Sequence, residues 1–596
     1  MTAFTSPARP FDPTDNAVQI LRRRATSTPN DPTLSYREGD GFTDLSAAAM
    51  LTEVLDLAAG LVALGVDRGD RVAIFSSTRY EFALLDYAIW AAGAVSVTIY
   101  ETSSAEQVEW IIGNSESVAV LCETPELAAI YHQVAAGLPS CRHASVITAG
   151  GLDEIRDAAT TGARAEVERR IAAIRPDDLA TLVYTSGTTG RPKGCMLTHG
   201  NFIFEVRQLE ERVPAMLTEN QRTLIFLPMA HIASRLVEVG CISVGVQLGF
   251  ATSAAHLAEE LAMFRPTWMF AVPRVFEKIY NTAEQRAHAG GKGAVFERAA
   301  QVAIRYSESL DKGGAGLGTK LIHRLFDKLV YSKIRPVFGG ELSYVISGAA
   351  PLGARLGHFF RGIGVIPIEV YGLTETTGVS TANGTDRLKI GTVGTPLGGV
   401  SIRIADDGEI LIKGAGTMRA YWRNEEATAE AIDPDGWFHS GDIGTLDSDG
   451  FVSITGRKKE IIVTAGGKNV APAVLEDRLR GHSLVSQCMV VGDAKPFVAA
   501  LVTIDEESLA GWAEIHERDA ASLPDLIDDP DLLTAIQSAV DEANRAVSKA
   551  ESIRAFRILP NDLTIEGGEL TPTLKVKRSV VAAKYGATID DIYVSA

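Results

Sequence analysis

The chain has 596 residues, too many for one compact core and enough for roughly four units of about 150 residues. Its 57 Lys and Arg stand against 75 Asp and Glu, a formal net charge of −18, which argues against a nucleic-acid partner. Five scattered cysteines (Cys122, Cys141, Cys195, Cys241 and Cys488) show no CxxC spacing, so neither a disulfide framework nor a zinc site is expected and a reducing, cytoplasmic setting fits.

The opening "MTAFTSPARPFDPTDN" is polar and proline-bearing, without the apolar centre of a signal peptide. The most apolar stretches, Ala88–Tyr100 and Leu236–Ala251, fall short of the ~20 residues that span a bilayer, and the second carries Glu238, so no transmembrane segment is predicted. Leu51, Val54, Leu55, Ala58, Leu61 and Val62 share one helical face that ends at Gly65. A strand follows in "DRVAIF", and the α-then-β order repeats through Tyr80–Gly93 and Val95–Ile99. That repetition predicts doubly wound α/β layers.

Thr181–Asn201 reads "TLVYTSGTTGRPKGCMLTHGN": a strand ending near Val183, a loop over Tyr184–Gly194, and a strand or turn near Met196. Glycines let backbone approach an anion and consecutive N–H groups form an anion nest; Thr185, Ser186, Thr188 and Thr189 add donors, and Lys193 adds charge. This is equipment for a polyphosphate. It is not a Walker A loop, because the position five after Gly187 is Pro192 and five after Gly190 is Cys195. "GGAGLGTK" also misses, with Thr319 where lysine is required.

Residues 281–336 predict a helical hairpin between α/β units. Val295, Ala299, Val302, Ala303, Tyr306 and Leu310 form one apolar stripe; Leu321, Ile322, Leu325, Phe326, Leu329 and Val330 form another beyond "KGGAGLG". After Gly450 a Gly-Arg-Lys-Lys turn joins two strands, a glycine-rich loop follows, and a helix starts near Pro472. Asp529-Pro530 opens a later helix with Leu533, Ile536, Val540, Ala543 and Val547 inward. A domain boundary is placed at about 456.

"YTSGTTGRPKG" resembles the phosphate loop of the adenylate-forming superfamily, which includes acyl-CoA synthetases. "SGAAPL" (Ser347–Leu352), "YGLTET" (Tyr371–Thr376), "GWFHSGDIG" (Gly436–Gly444), "GRKKE" (Gly456–Glu460) and "TPTLKVKR" (Thr571–Arg578) match the family's sites in family order. The resemblance implies an α/β fold: a large multi-subdomain N-terminal α/β domain (1–455) and a small mobile α+β C-terminal lid domain (456–596). It also implies ATP, Mg2+ and coenzyme A.

By the same resemblance, Thr185, Ser186, Gly187, Thr188, Thr189, Gly190 and Lys193 would steady the β- and γ-phosphates. The ring of Tyr371, with Gly372, would stack on adenine opposite Gly348 and Ala349. Thr374 would bond the α-phosphate, Glu375 would ligate Mg2+, Asp442 would accept the ribose hydroxyls, and Arg457 would reach the ribose or phosphate. Lys575, late in the lid, would bridge carboxylate and α-phosphate, although Leu574 stands where the family commonly has glycine. Lys459 matches the hinge about which the lid turns, and Gly466–Gly467 match the loop that then meets coenzyme A.

Arg265–Tyr280 and the helical insertion resemble long-chain acyl-CoA synthetases. "FLPMAHIASR" (Phe226–Arg235) looks like the mouth of their acyl tunnel, with His231 as gate or as a capping histidine. The expected activity is fatty acid:CoA ligation through acyl-AMP. An acyl-AMP ligase loading a carrier protein, or a CoA ligase for medium-chain or other hydrophobic acids, remains as the alternative; a P-loop kinase or ATPase and a non-catalytic scaffold are disfavoured. From Lys312 to Arg335 six cations face Asp327 alone, a surface suited to peripheral contact with anionic membrane or to one solvated helix face. Oligomeric state is left open between monomer and homodimer.

Overall fold

A computed structural model describes the chain except residues 1–2, 11, 13, 186–190, 254–255, 519–522 and 595–596. Its first layer is a six-stranded sheet of β1 (Arg71–Phe75), β2 (Val95–Ile99), β3 (Ala119–Cys122), β4 (His143–Val146), β5 (Leu179–Thr185) and β6 (Lys193–Thr198), in the order β4-β3-β1-β2-β5-β6. All neighbours are parallel except β5 and β6. The inner strands β1 and β2 are short, β-branched and buried on both faces, as helical cover requires. Helix α1 (Ala47–Ala63) starts where Ser46 accepts from the Ala49 amide, and the chain leaves it through Gly65 at φ +85. Helix α2 (Tyr80–Ala91) is buried over almost its whole length, which accounts for the apolar run there.

Helices α3 (His199–Arg212) and α4 (Ile232–Val244) pack beside this sheet. Arg235 of α4 is fully buried, donating from Nε to Asp86 Oδ2 of α2 at 2.7 Å and from Nη2 to Ser96 Oγ at 2.8 Å, with Nη1 on Thr181 Oγ1. The rings of Trp90 and Phe202 cover the guanidinium. One turn on, burial holds the Glu238 carboxyl well above the usual carboxylate range.

A second sheet contains the parallel strands β7 (Trp268–Ala271), β8 (Tyr344–Ser347) and β9 (Ile366–Tyr371). The connection from β7 to β8 carries α5 (Pro273–Ala289), α6 (Gly293–Leu310) and α7 (Leu317–Phe326), followed by a π turn at Asp327–Tyr331. The expected hairpin is thus part of a longer helical crossover. Ala299, Val302 and Ala303 are buried as predicted, whereas Val295 and Leu310 are exposed. The second stripe is corrected more strongly. Leu321, Ile322, Leu325 and Leu329 face outward, because α7 is held by its other side: the His323 ring stacks on Tyr306 at 3.9 Å, and Phe326 and Val330 pack on the core.

A five-stranded sheet includes β10 (Glu409–Lys413), β11 (Phe438–Leu446) and β12 (Val452–Arg457) as consecutive antiparallel neighbours. After β12 a 3-10 turn, Lys458–Glu460, leads into the C-terminal part. There Val485–Val491, Val498–Ile504 and Ile553–Ile558 form a sheet, covered by α8 (Pro472–Arg480) and α9 (Pro530–Asn544). Two apolar cores consist wholly of residues from Ile462 onward. Asp529 caps α9 by accepting from the amides of Asp531 and Leu532, and Ile536, Val540 and Ala543 are buried beneath it. Among the described residues no helix is long and apolar enough to cross a membrane.

Candidate active site

A cavity of about 1990 Å3 separates the large domain from the smaller one. Thr185, Lys193, Gly348, Ala349, Tyr371, Gly372, Thr374, Glu375, His231, Asp442, Arg457, Lys459 and Lys575 all line it. Seven sequence segments therefore converge on one space. Ser186, Gly187, Thr188, Thr189 and Gly190 lie outside the described residues.

The flanks of that loop are defined. Thr185 and Lys193 are register partners in the β5–β6 hairpin. Trp110 Nε1 donates to the Pro192 carbonyl at 2.8 Å, and the Arg191 guanidinium lies 4.7 Å from the Trp110 ring centroid. Segment 419–422 pairs with the outer edge of β6: the Met196 amide donates to Ala420 O, the Arg419 amide to Met196 O, and the Trp422 amide to Gly194 O at 2.7 Å. This pairing delivers Tyr421, whose hydroxyl donates to Glu375 Oε1 at 2.7 Å while Lys193 Nζ stands 5.1 Å from its ring centroid. Sequence reasoning missed Tyr421. Its place beside Glu375 is visible only once 419–422 is seen bonded to the edge of β6.

Thr374 and Glu375 form a 3-10 turn directly after β9. Tyr371, at the end of β9, is buried and donates from its hydroxyl to Asp442 Oδ2 at 2.8 Å. Arg457 Nε donates to Asp442 Oδ1 at 2.8 Å, across the β11–β12 ladder in which these two residues are directly paired. Each Asp442 oxygen keeps a second lone pair, so the carboxylate can still accept a diol. Burial and the Asp442 charge hold the Tyr371 phenol protonated, its pKa raised well above the usual value. Behind Gly348, Glu369 accepts from the Leu352 amide, and burial pushes its carboxyl up to about 7.

His231 caps α4, its Nδ1 accepting from the Ala233 amide at 3.2 Å. Enclosure by protein, reinforced by the positive charge of Lys575, lowers its pKa to about 4, so it is a neutral side chain at physiological pH. Lys575 comes from the small domain and projects into the cavity. Its side chain meets cavity solvent yet is ringed by protein, and that enclosure, with Arg457 nearby, lowers its pKa. Leu574 before it adopts φ +62, the left-handed region that favours glycine. From His231 an apolar arm extends between α3 and α4, lined by Val206, Leu209, Val213, Leu236, Val237 and Gly240.

Lys459 sits exposed on the 3-10 turn between the two parts of the chain, while its neighbour Lys458 is bound to Asp407 and Glu409. Gly466 and Gly467 are exposed in the turn after Ile462–Val463 and do not line the cavity. The structure brings Lys575, but not this glycine pair, to the site.

A family model described as AMP-binding enzyme matches residues 21–422, and one described as AMP-binding enzyme C-terminal domain matches residues 459–596. The chain is 51% identical to the long-chain-fatty-acid–CoA ligase FadD15 of Mycobacterium tuberculosis, covering 97% of each protein. It is 30% identical to the peroxisomal long chain acyl-CoA synthetase 7 of Arabidopsis thaliana, over 90% of this chain and 80% of that one. Among solved structures, the A domain of carboxylic acid reductase from Segniliparus rugosus, in complex with AMP and a co-purified carboxylic acid, superposes with a TM-score of 0.74. That match has 22% identity and covers 98% of this chain and 94% of the other. A Mycobacterium tuberculosis fatty acyl CoA synthetase superposes with a TM-score of 0.61 at 23% identity, covering 96% and 99%.

Proposed function

The chain belongs to the AMP-binding enzyme family, and from that premise we propose that it is a long-chain fatty acid:CoA ligase that forms acyl-AMP, releases pyrophosphate and passes the acyl group to coenzyme A. The observation that carries this reading is the junction at His231, where the apolar arm opens into the polar cavity beside Lys575. An acyl chain in the arm places its carboxylate where one cation can face both it and the α-phosphate.

Carboxylate attack on the α-phosphorus builds negative charge on phosphate oxygens, so positioned cations and donors supply the catalysis. Lys575 bridges the two anionic reactants; Thr374 bonds the α-phosphate; Lys193 and the Thr185–Gly190 loop hold the outer phosphates. Tyr371, Gly348, Ala349 and Gly372 frame the base, and Asp442 with Arg457 takes the ribose. Neutral His231 adds no charge beside the carboxylate and stands as a gate where the arm meets the cavity.

The residues fit Mg2+. Glu375 lines the cavity half-exposed, with only Oε1 taken by the Tyr421 hydroxyl, so it is the residue that would hold the ion together with the nucleotide's oxygens, the sparse protein ligation that Mg2+ accepts. Bound there, it would neutralise phosphate charge. With the boundary at about 456, the small domain turns about Lys459 after adenylation, withdrawing Lys575 and presenting Gly466–Gly467 to the pantetheine arm. We further propose that 312–335 meets an anionic membrane.

Pyrophosphate release measured across acids of graded length, with and without CoA, tests the reading. The expected products are acyl-CoA, AMP and pyrophosphate, with the highest kcat/KM for long chains. Orthophosphate as product, or acyl transfer only to a carrier protein, would overturn it.

A further inference from the structure

Six of the thirteen large apolar side chains that stand exposed among the described residues fall between 317 and 337: Leu317, Leu321, Ile322, Leu325, Leu329 and Val337. Leu317 and Leu321 are 87% and 71% exposed, and no residue of α7 is buried. Leu317, Leu321 and Leu325 recur every four residues, so they form one stripe along the helix, and Leu329 continues it through the π turn. Lys320, Arg324 and Lys328 run beside that stripe at the same spacing.

The helix is fixed to the protein by its opposite face. His323 Nε2 lies 2.7 Å from the Gly362 carbonyl oxygen, and the Tyr331 hydroxyl donates to Ala299 O at 2.7 Å. The leucines therefore cannot rotate inward without breaking these contacts. The only acid in the segment, Asp327, is already paired with Arg335 at 2.7 Å. Lys312, Lys320, Arg324, Lys328 and Lys333 make no ion pair among the described residues, on a chain whose net charge is −18.

We infer that α7 and its π turn are the seat of an anionic bilayer. Leu317, Leu321, Leu325 and Leu329 enter the headgroup–acyl boundary, and the flanking lysines and arginine rest on lipid phosphates. Charge complementarity selects this occupant. Five unpaired cations around an apolar stripe would be stranded against an ordinary protein surface, whereas at a lipid surface their stems lie along the apolar zone while their heads reach phosphate. An exposed apolar patch of this kind on a soluble domain marks an interaction site. The inference deepens the membrane part of the proposed function and rests on the ligase reading only for the cargo: a long-chain acid partitions into the bilayer that the helix would touch.

The test uses the full-length protein and sedimentation with phosphatidylcholine vesicles, with and without phosphatidylglycerol. The wild-type protein should bind the anionic vesicles about tenfold or more tightly than the neutral ones, and lose that preference in high salt. Lys320→Gln/Arg324→Gln/Lys328→Gln should bring anionic binding down to the neutral level. Leu321→Ser/Leu325→Ser should weaken binding about tenfold to either vesicle while leaving turnover of a short, soluble acid unchanged. Equal wild-type binding to both vesicle types, or binding that neither set of substitutions alters, would overturn the inference. So would concentration-dependent self-association abolished by the leucine substitutions, which would assign the face to a second copy. Vesicle binding without ligase turnover would leave the inference standing and remove the ligase reading instead.

Discussion

Tyr421→Phe deletes a single oxygen, the one donating to Glu375 at 2.7 Å. The ring stays, and with it the contact to Lys193. A hydrogen bond to a charged group contributes about 1.5–3 kcal/mol. Glu375 is half-exposed, so water replaces part of the loss, leaving about 1–1.5 kcal/mol, or roughly fivefold to tenfold. If Tyr421 positions Glu375 for Mg2+, that factor should appear in the Mg2+ dependence of pyrophosphate release at fixed ATP, as a raised half-saturating concentration. Phenylalanine keeps the ring in its buried packing, so the melting temperature should move by no more than about 2 °C. A double-mutant cycle sharpens the result. In a Glu375→Gln background, Tyr421→Phe should cost nothing more, because the hydroxyl acts through the carboxylate. An unchanged Mg2+ profile with a uniformly lower kcat, or strictly additive losses in the cycle, would refute the positioning role.

Lys575→Ala should abolish pyrophosphate release while ATP binding by calorimetry persists; because enclosure and Arg457 lower the pKa of Lys575, activity should fall on the alkaline side before free lysine titrates, and Arg457→Met should move that limb upward. His199 is buried with its pKa lowered to about 4 from 6.5, so the unfolded chain binds the proton first. Stability should be lost as pH falls from 6.5 towards 4, by up to about 3 kcal/mol, and His199→Gln should flatten that part of a chemical-denaturation series. Arg235→Met should destabilise by about 3–5 kcal/mol in the same assay, since it strands Asp86 in a fully buried site; a loss under about 1 kcal/mol would show that the site admits water.

Much of the site was legible because its parts are local. "YGLTET" occupies a strand end and the 3-10 turn after it, and Asp442 and Arg457 are ladder partners whose strands are each readable. What stayed hidden depends on pairings distant in sequence. Tyr421 gains its role from an edge contact with a strand more than two hundred residues earlier, and "MRAYWRN" carries no spacing that announces it. The Asp86–Arg235 pair is likewise two unremarked charges inside apolar runs. The stripe on α7 was visible as periodicity, but periodicity does not say which side of a helix the fold covers; His323 and Phe326 decided that. Leu574 was recognisable as a departure from glycine, and its φ of +62 shows the loop keeping the left-handed turn with a leucine in it.

The way the small domain is held bears on whether one lid position can serve both half-reactions. Its apolar cores close on themselves, so it can move as a body without exposing them. The links to the large domain include Arg274 on Asp505 and Ser486, each at 3.2 Å, Lys278 on Glu507 at 3.4 Å, and Arg355 on the Gly481 carbonyl at 3.0 Å. Such partly solvated contacts contribute about 0–1 kcal/mol each, and water replaces them readily. With Lys575 inside the cavity and Gly466–Gly467 outside it, the same pose cannot present both to the substrate. A turn about the exposed segment at Lys459, as proposed, would exchange them at the expense of weak polar links, and the proposed two-step chemistry needs a lid held no more tightly than that.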